Sequence, residues 1–427
     1  MKTPVCITAT LMLVVANTTH SLGPDEFFKI PIEVVHGPVR PSTTSRWVHT
    51  LRKYGIASQH GVGTLGMLGH QQGHLVNVTN LARIPLVDYD FDREIDFDTG
   101  SSQFVISTKG CVHCSGSTHY DPATSKTFRA NGRPWKVTYG DQSHAEGFLG
   151  HDIVTLDGIK VENQQLAMVT KESVGFDDIV DGIMGLAFGS LSTGIVGTRT
   201  VFENMMKQNL VDRGIFSFYL GKVSLNGGGE VIFGGLDMSR VEHGHKITYT
   251  PVIRAKYWQI NVDNIYVDGK VILGGGGIGA GKKSSDVNFE GIMDTGTTLM
   301  IVPRKLAREI HRRIKGSQEL ASSWAVPCDL AVQNPGSKIE LEIEGKRFGI
   351  PFEDLVREET IVDEGLCYSG IQTSSAKFMI IGDVFIKNNY VVFDQENKRV
   401  GIAPLRLEKR RDQGSQRKGV AKAVATK

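Results

Sequence analysis

The chain has 427 residues, enough for two globular lobes with separate cores. Charged residues make up 22% and apolar ones 40%, an ordinary balance for a soluble protein. No window approaches an unbroken apolar run of about twenty residues, which excludes a helical membrane span.

Met1-Lys2 and the apolar stretch from Val5 to Ala16 form the n- and h-regions of a secretory signal over residues 1–20, with export to the extracellular space as the expectation. Cleavage there removes Cys6 and leaves Cys111, Cys114, Cys328 and Cys367. An even count in an exported protein suggests disulfides. The simplest pairing lies within each half, 111–114 and 328–367, among three possible pairings. Zinc is the competing reading of Cys-x-x-Cys, but no second close pair supports it.

Residues 21–83 form a basic segment with no convincing strand ladder and a short helical pattern over 45–58, which sets Trp47, Leu51 and Tyr54 on one side. Five of the 13 histidines (His36, His49, His60, His70 and His74) fall here, suited either to a pH-triggered release or to a solvated linker. Asn77-Val78-Thr79 is a glycosylation sequon. Residues 84–405 carry 33 basic against 41 acidic residues, so an acidic body stands ready to hold the basic segment electrostatically.

From Ile84 onward the pattern is β-rich, and glycine, at 49 residues, is spread as it is among short strands and tight turns. Residues 135–141 and 147–150 read as a hairpin, and 230–235, 257–260 and 389–394 as further strands. Helical pattern is confined to Val201–Asn209 and Lys305–Ile314. Gly274-x-Gly276-x-x-Gly279 matches a dinucleotide fingerprint, and Gly276, Gly281 and Lys282 nearly a P-loop, but no helix follows; a surface hairpin loop is the better reading. Residues 406–427 carry eight basic residues against two acids and no apolar face, a disordered basic tail.

One phrase occurs twice: Phe97-Asp98-Thr99-Gly100-Ser101-Ser102 and Met293-Asp294-Thr295-Gly296-Thr297-Thr298. Each is followed by an apolar-apolar-Gly echo, ending at Gly185, 87 residues after Asp98, and at Gly382, 88 after Asp294. This repeat predicts two similar lobes, each presenting one aspartate. Two carboxylates brought together cannot both ionise cheaply, so they share a proton. The ionised member can deprotonate a water attacking a peptide carbonyl while the other donates to the oxyanion. No metal, cofactor or nucleophilic side chain is required. Thr99 and Thr295 would lock the loops together, and Ser101 and Thr297 could bond the outer carboxylate oxygens. A serine protease would need Gly-x-Ser-x-Gly and a metalloprotease His-Glu-x-x-His, and neither occurs.

With both phrases, Val137-Thr138-Tyr139-Gly140-Asp141, Asp181-Gly182-Ile183-Met184-Gly185-Leu186, Phe233-Gly234-Gly235-Leu236-Asp237, Tyr257-Trp258 and the run 381–390, the chain resembles the pepsin-like aspartic proteases, the fungal rhizopuspepsins above all. The resemblance covers about residues 22–405 and implies an all-β bilobal fold, the lobes related by a pseudo-twofold axis with a cleft between them. It implies Asp98 and Asp294 as catalytic residues, and Tyr139, Gly140, Asp141, Gly100, Gly296, Thr297 and Ile183 as substrate-binding, with Tyr139 at the tip of a mobile flap. It also implies Lys53-Tyr54 as the pair by which the propeptide plugs the cleft. The resulting expectation is a secreted, monomeric zymogen of an acid endopeptidase, with signal 1–20, propeptide 21–83, N-terminal lobe 84–246, C-terminal lobe 247–405 and tail 406–427. Its partners are polypeptides and its own propeptide, not nucleic acid; bulky apolar residues are preferred at the cut, with Lys accepted before it through Asp141.

The chain departs from the family in four places. Asp88–Glu94 runs directly into Ile95-Asp96-Phe97-Asp98, so roughly a hairpin of chain is missing. That loss is expected to expose core in the first lobe, and it raises the alternative of a protease-like protein that binds peptides without cutting them. Val105 replaces a flap-supporting tryptophan, so a looser flap is expected; the loop 274–285 is longer, and the tail extends past Pro404.

Overall fold

Short runs of β-branched and aromatic residues between glycines and turn residues dictate many short strands, and the computed structural model of the protein is built from them. It describes residues 28–32, 50–51, 53–54, 81–85, 92–114, 118–138, 144–156, 158–173, 181–192, 198–222, 228–272, 289–320, 323–360 and 365–406. The signal region, most of the basic segment with its histidines and sequon, Trp47, the glycine run 274–281 and the tail beyond Arg406 lie outside the described residues.

The internal repeat is a repeat of topology. In the first half Asp92–Asp98 pairs in parallel with Gly182–Gly185, which pairs antiparallel with Phe104–Val112. In the second half Phe289–Met293 pairs in parallel with Met379–Ile381, which pairs antiparallel with Met300–Pro303. The downstream apolar-apolar-Gly echo is therefore the strand that props up each aspartate strand, with Asp98 opposite Gly185 and Met293 opposite Ile381. A side chain at Gly185 or Gly382 would run into the backbone of the neighbouring aspartate loop, within 2.6 Å of Ser102 and 2.0 Å of Thr297, so both positions need glycine.

A six-stranded sheet joins the halves, in the order Phe28–Ile32, Gly229–Phe233, Ile215–Leu220, Asn389–Asp394, Arg399–Pro404 and Thr248–Pro251. Phe216, Phe218, Phe233, Phe393 and Trp258 are fully buried around it. Phe216 stacks on Phe393 at 5.0 Å, and Trp258 meets Phe393 edge-on at the same distance. Each such ring contributes about 2–3 kcal/mol through burial alone. The expected lobe boundary at 246/247 falls just before Thr248–Pro251, a strand of this shared sheet.

The hairpin expected after the first aspartate is Arg129–Thr138 against His144–Leu156, and its tip at 139–143 lies outside the described residues. The predicted helices appear as Val201–Lys207, closed by a Thr200–Glu203 capping box, and Arg304–His311. Cys111 is bridged to Cys114 and Cys328 to Cys367.

Two expectations are corrected. The basic segment does hold strand: Phe28–Ile32 pairs in full register with Gly229–Phe233. An outermost strand tolerates Pro31, whose missing N–H is why the stretch did not read as one. The shortened approach to Asp98 does not bare the core either. Leu81–Pro85 pairs antiparallel with Asp92–Asp98, and Ile95 and Phe97 are completely buried. Leu81–Pro85 is the outermost strand of that sheet, next to Asp92–Asp98.

Candidate active site

Each aspartate strand ends in a tight turn that turns its carboxyl toward the other half. The two turns are locked by their threonines. Thr99 Oγ1 donates to the Met293 carbonyl at 3.0 Å and accepts the Thr295 N–H at 3.0 Å. Reciprocally, Thr295 Oγ1 donates to the Phe97 carbonyl at 2.6 Å and accepts the Thr99 N–H at 3.1 Å. Both threonines are buried, so these bonds form in a low-dielectric setting that strengthens them.

Asp98 and Asp294 are 4% and 0% exposed. The Gly100 N–H donates to Asp98 Oδ1 at 2.7 Å and the Gly296 N–H to Asp294 Oδ1 at 3.1 Å. These glycines also make room. A Cβ at Gly100 would lie 2.4 Å from Asp294 Oδ1, and one at Gly296 would lie 2.4 Å from Asp98 Oδ1. Thr297 Oγ1 donates to Asp294 Oδ2. Ser101 differs from its counterpart: it helps to lower Asp98, but its buried hydroxyl makes no hydrogen bond of ordinary geometry among the described residues.

The space between the carboxyls holds the Lys53 ammonium, 2.6 Å from Asp98 Oδ1 and 2.8 Å from Asp294 Oδ1. Lys53 is delivered by a helical turn closed by Tyr54 N–H to the Thr50 carbonyl at 3.3 Å. Leu51 anchors the turn among Leu299, Ile301 and Ile380. Tyr54 donates from its hydroxyl to Asp294 Oδ2 at 3.0 Å, and its ring packs 5.5 Å from Tyr257 and 6.2 Å from Phe378.

This ammonium separates the two acids. Burial works to raise Asp98, but the charge and hydrogen bond of Lys53 outweigh it and hold the carboxyl below the usual carboxylate range. Burial raises Asp294 too; there Lys53 pulls down, the Asp98 charge pushes up, and the balance stays raised. Asp98 is the ionised member and Asp294 the one that keeps its proton more readily. For Lys53, burial opposes the ammonium, but Asp294 and then Asp98 more than compensate, and its pKa rises.

The site thus gathers Asp98, Asp294, Thr99, Thr295, Gly100, Gly296, Ser101, Thr297, Lys53 and Tyr54, all singled out from sequence. Ile183 lies one strand away, opposite Asp96, and is half-buried. Tyr139, Gly140 and Asp141 lie outside the described residues. Leu51, Tyr257 and Phe378 were missed as site residues. The apolar side that Leu51 shares with Tyr54 was the available signal, whereas Phe378 had none. The looser flap expected at Val105 concerns a tip, with Tyr139, that lies outside the described residues. Trp135, on Arg129–Thr138, buries its ring in a cluster with Val105 and donates its indole N–H to Gln103 Oε1 at 2.9 Å.

Two all-β halves that present locked, mutually facing Asp-Thr-Gly turns define an aspartic-type hydrolase. The chain belongs to the eukaryotic aspartyl protease family, which it matches over residues 90–405. It is similar to rhizopuspepsin of Rhizopus chinensis, 34% identical over 396 residues that cover 88% of this chain and 93% of that protein. It is likewise 35% identical over 338 residues to syncephapepsin of Syncephalastrum racemosum, covering 75% and 80%. Cathepsin E-B of Xenopus laevis is 34% identical over 320 residues, covering 72% and 75%. The protein is an aspartic-type endopeptidase, a hydrolase of polypeptides, and the alternative of a binding protein that does not cut is not favoured.

Proposed function

We propose that the protein is a secreted zymogen of a monomeric acid endopeptidase in which Asp98 and Asp294 activate water. With Lys53 withdrawn, the two carboxyls share one proton, and the ionised member of the pair takes a proton from a water held between them as that water attacks the peptide carbonyl. The protonated member donates its proton to the developing oxyanion, and the amine departs after proton return through the pair. Gly100, Gly296, Thr297 and Ile183 flank the bound peptide, with Tyr139, Gly140 and Asp141 closing over it. Bulky apolar residues occupy the cleft on either side of the cut, and Asp141 accepts Lys at P1.

The observation that carries this reading is the Lys53 ammonium 2.6 Å from Asp98 and 2.8 Å from Asp294, a cation where catalytic water would stand. It supports residues 21–83 as an inhibitory propeptide. Of the maturation bracket 75–83, a cut before Leu81 leaves the strand beside Asp92–Asp98 intact. Incubation of the precursor with a denatured protein in acid, with and without pepstatin, tests the proposal. Pepstatin-sensitive cleavage is expected, lost by at least about a thousandfold in Asp98→Asn and Asp294→Asn. Cleavage that survives both substitutions would refute the assignment of the pair.

A further inference from the structure

The strand Arg129–Thr138 carries an irregularity that peptide cleavage does not use. Ala130 lies opposite Gly150 and Pro134 opposite Phe148, so Asn131, Gly132 and Arg133 stand against Leu149 alone. The surplus residues bulge out of the ladder. Gly132 takes a left-handed φ of 69°, and a Cβ built there meets nothing within 4 Å. Gly132 and Arg133 are exposed and Asn131 is half-buried. Within the bulge the Arg133 N–H donates to Asn131 Oδ1 at 2.9 Å.

That geometry prepares a reaction. The amide nitrogen following an asparagine can attack its side-chain Cγ, and a glycine, lacking Cβ, lets the backbone approach most closely. Negative charge develops on Oδ1 as the bond forms, and an N–H already aimed at Oδ1 stabilises it as an oxyanion hole does. Solvent hydroxide takes the Gly132 amide proton, the N–Cγ bond forms, and the Cγ–Nδ2 bond breaks with loss of ammonia. The resulting five-membered succinimide is then opened by water. Opening at Cγ gives aspartate; opening at the main-chain carbonyl gives isoaspartate, whose chain runs through the former side chain. Water is the only co-reactant. Asn204 is the contrast: it is buried in the helix Val201–Lys207, precedes Met205, and donates from Nδ2 to Gln164 Oε1 at 2.7 Å.

We propose that Asn131 is a self-modification site, converted through a succinimide to aspartate and isoaspartate in the folded protein, with the Arg133 N–H as the donor that promotes it. The proposal is independent of the catalytic pair. Its product sets a carboxylate between Arg129 and Arg133, and the isoaspartyl form adds a methylene to the main chain of the strand.

The test holds the full-length precursor near neutral pH, samples it over days and maps its peptides by mass spectrometry. The Asn131 peptide is expected to exchange amide for acid and to separate into two products of equal mass, while the Asn204 peptide stays intact. Arg133→Pro removes the N–H that faces Oδ1, and Gly132→Ala puts a side chain on the attacking residue. Each should slow conversion at position 131 by at least about tenfold, the effect of about 1.4 kcal/mol on the barrier. Each should also leave unchanged the conversion at Asn226-Gly227, the other Asn-Gly of the chain, which lies outside the described residues. Native urea midpoints establish that the variants are folded. An Asn131 that keeps its amide in the native precursor overturns the proposal without recourse to any variant. So does a folded Arg133→Pro that converts at the native rate, because the aligned N–H would then contribute nothing.

Discussion

An ammonium held between two carboxylates is stable only within a window of pH, and for Lys53 the acid limit is the one that matters. Asp98 has a lowered pKa in the folded precursor, so its contribution is complete above the ordinary carboxylate value. That contribution disappears as pH falls through the lowered one. Lys53 has a raised pKa, and its own contribution is lost only at high pH. Asp294, raised, pulls the other way and does not strengthen the lock as pH rises. Release should therefore follow protonation of Asp98, below the ordinary carboxylate range. Replacing Lys53 with Met removes the cation, leaves Tyr54 and Leu51 in place, and frees the pair at higher pH. Lys53→Met precursor is expected to process itself at near-neutral pH, followed by gel mobility against time at a series of pH values. A processing profile identical to the native one would remove Lys53 from the lock.

The second lobe sets an acid limit through one helix. His311, the last residue of Arg304–His311, is completely buried and stacks 4.4 Å from Trp324. Its Nδ1 must donate to the Ala307 carbonyl at 2.8 Å, so Nε2 accepts from the Ser369 hydroxyl at 2.8 Å. Burial lowers its pKa to about 4. A histidine whose folded pKa is depressed costs stability as pH falls below about 6.5, where the unfolded chain takes up a proton first. The loss reaches roughly 3 kcal/mol near pH 4 and then levels off. His311→Gln keeps a donor and an acceptor but cannot titrate. Urea unfolding of the variant should lose about 3 kcal/mol less than the native protein between pH 7 and pH 4. None of this was legible in the sequence, because a lone histidine at the end of a helix shows nothing of the tryptophan that will cover it. Asp98 and Asp294 were legible because their turns repeat, whereas Trp135 was not. Its burial depends on a register that brings it into one cluster with Val105 from a different strand.

Over the whole molecule the halves are joined through one sheet, and the basic segment is part of it. Ile30 is 4% exposed and belongs to the main core, while Lys29 reaches Asp237 at 2.6 Å. The sequence read this segment as a detachable cover held by charge. The ion pair agrees, but the buried isoleucine and the full register with Gly229–Phe233 make the strand a structural element of the precursor. The difference is physical. Net charge is visible in composition, but whether five residues complete a sheet depends on an open edge elsewhere in the chain. That edge lies at Gly229–Phe233, next to the strands that join the lobes, so burial at Ile30 bears on the assembly of both halves. Ile30→Ala should lower the stability of the precursor by about 2–3 kcal/mol, the ordinary effect of truncating a buried isoleucine. Enzyme matured by a cut after this strand has lost position 30 and should unfold in urea as the native enzyme does. An Ile30→Ala precursor with the native urea midpoint would mean that the strand lies on the sheet without supporting it.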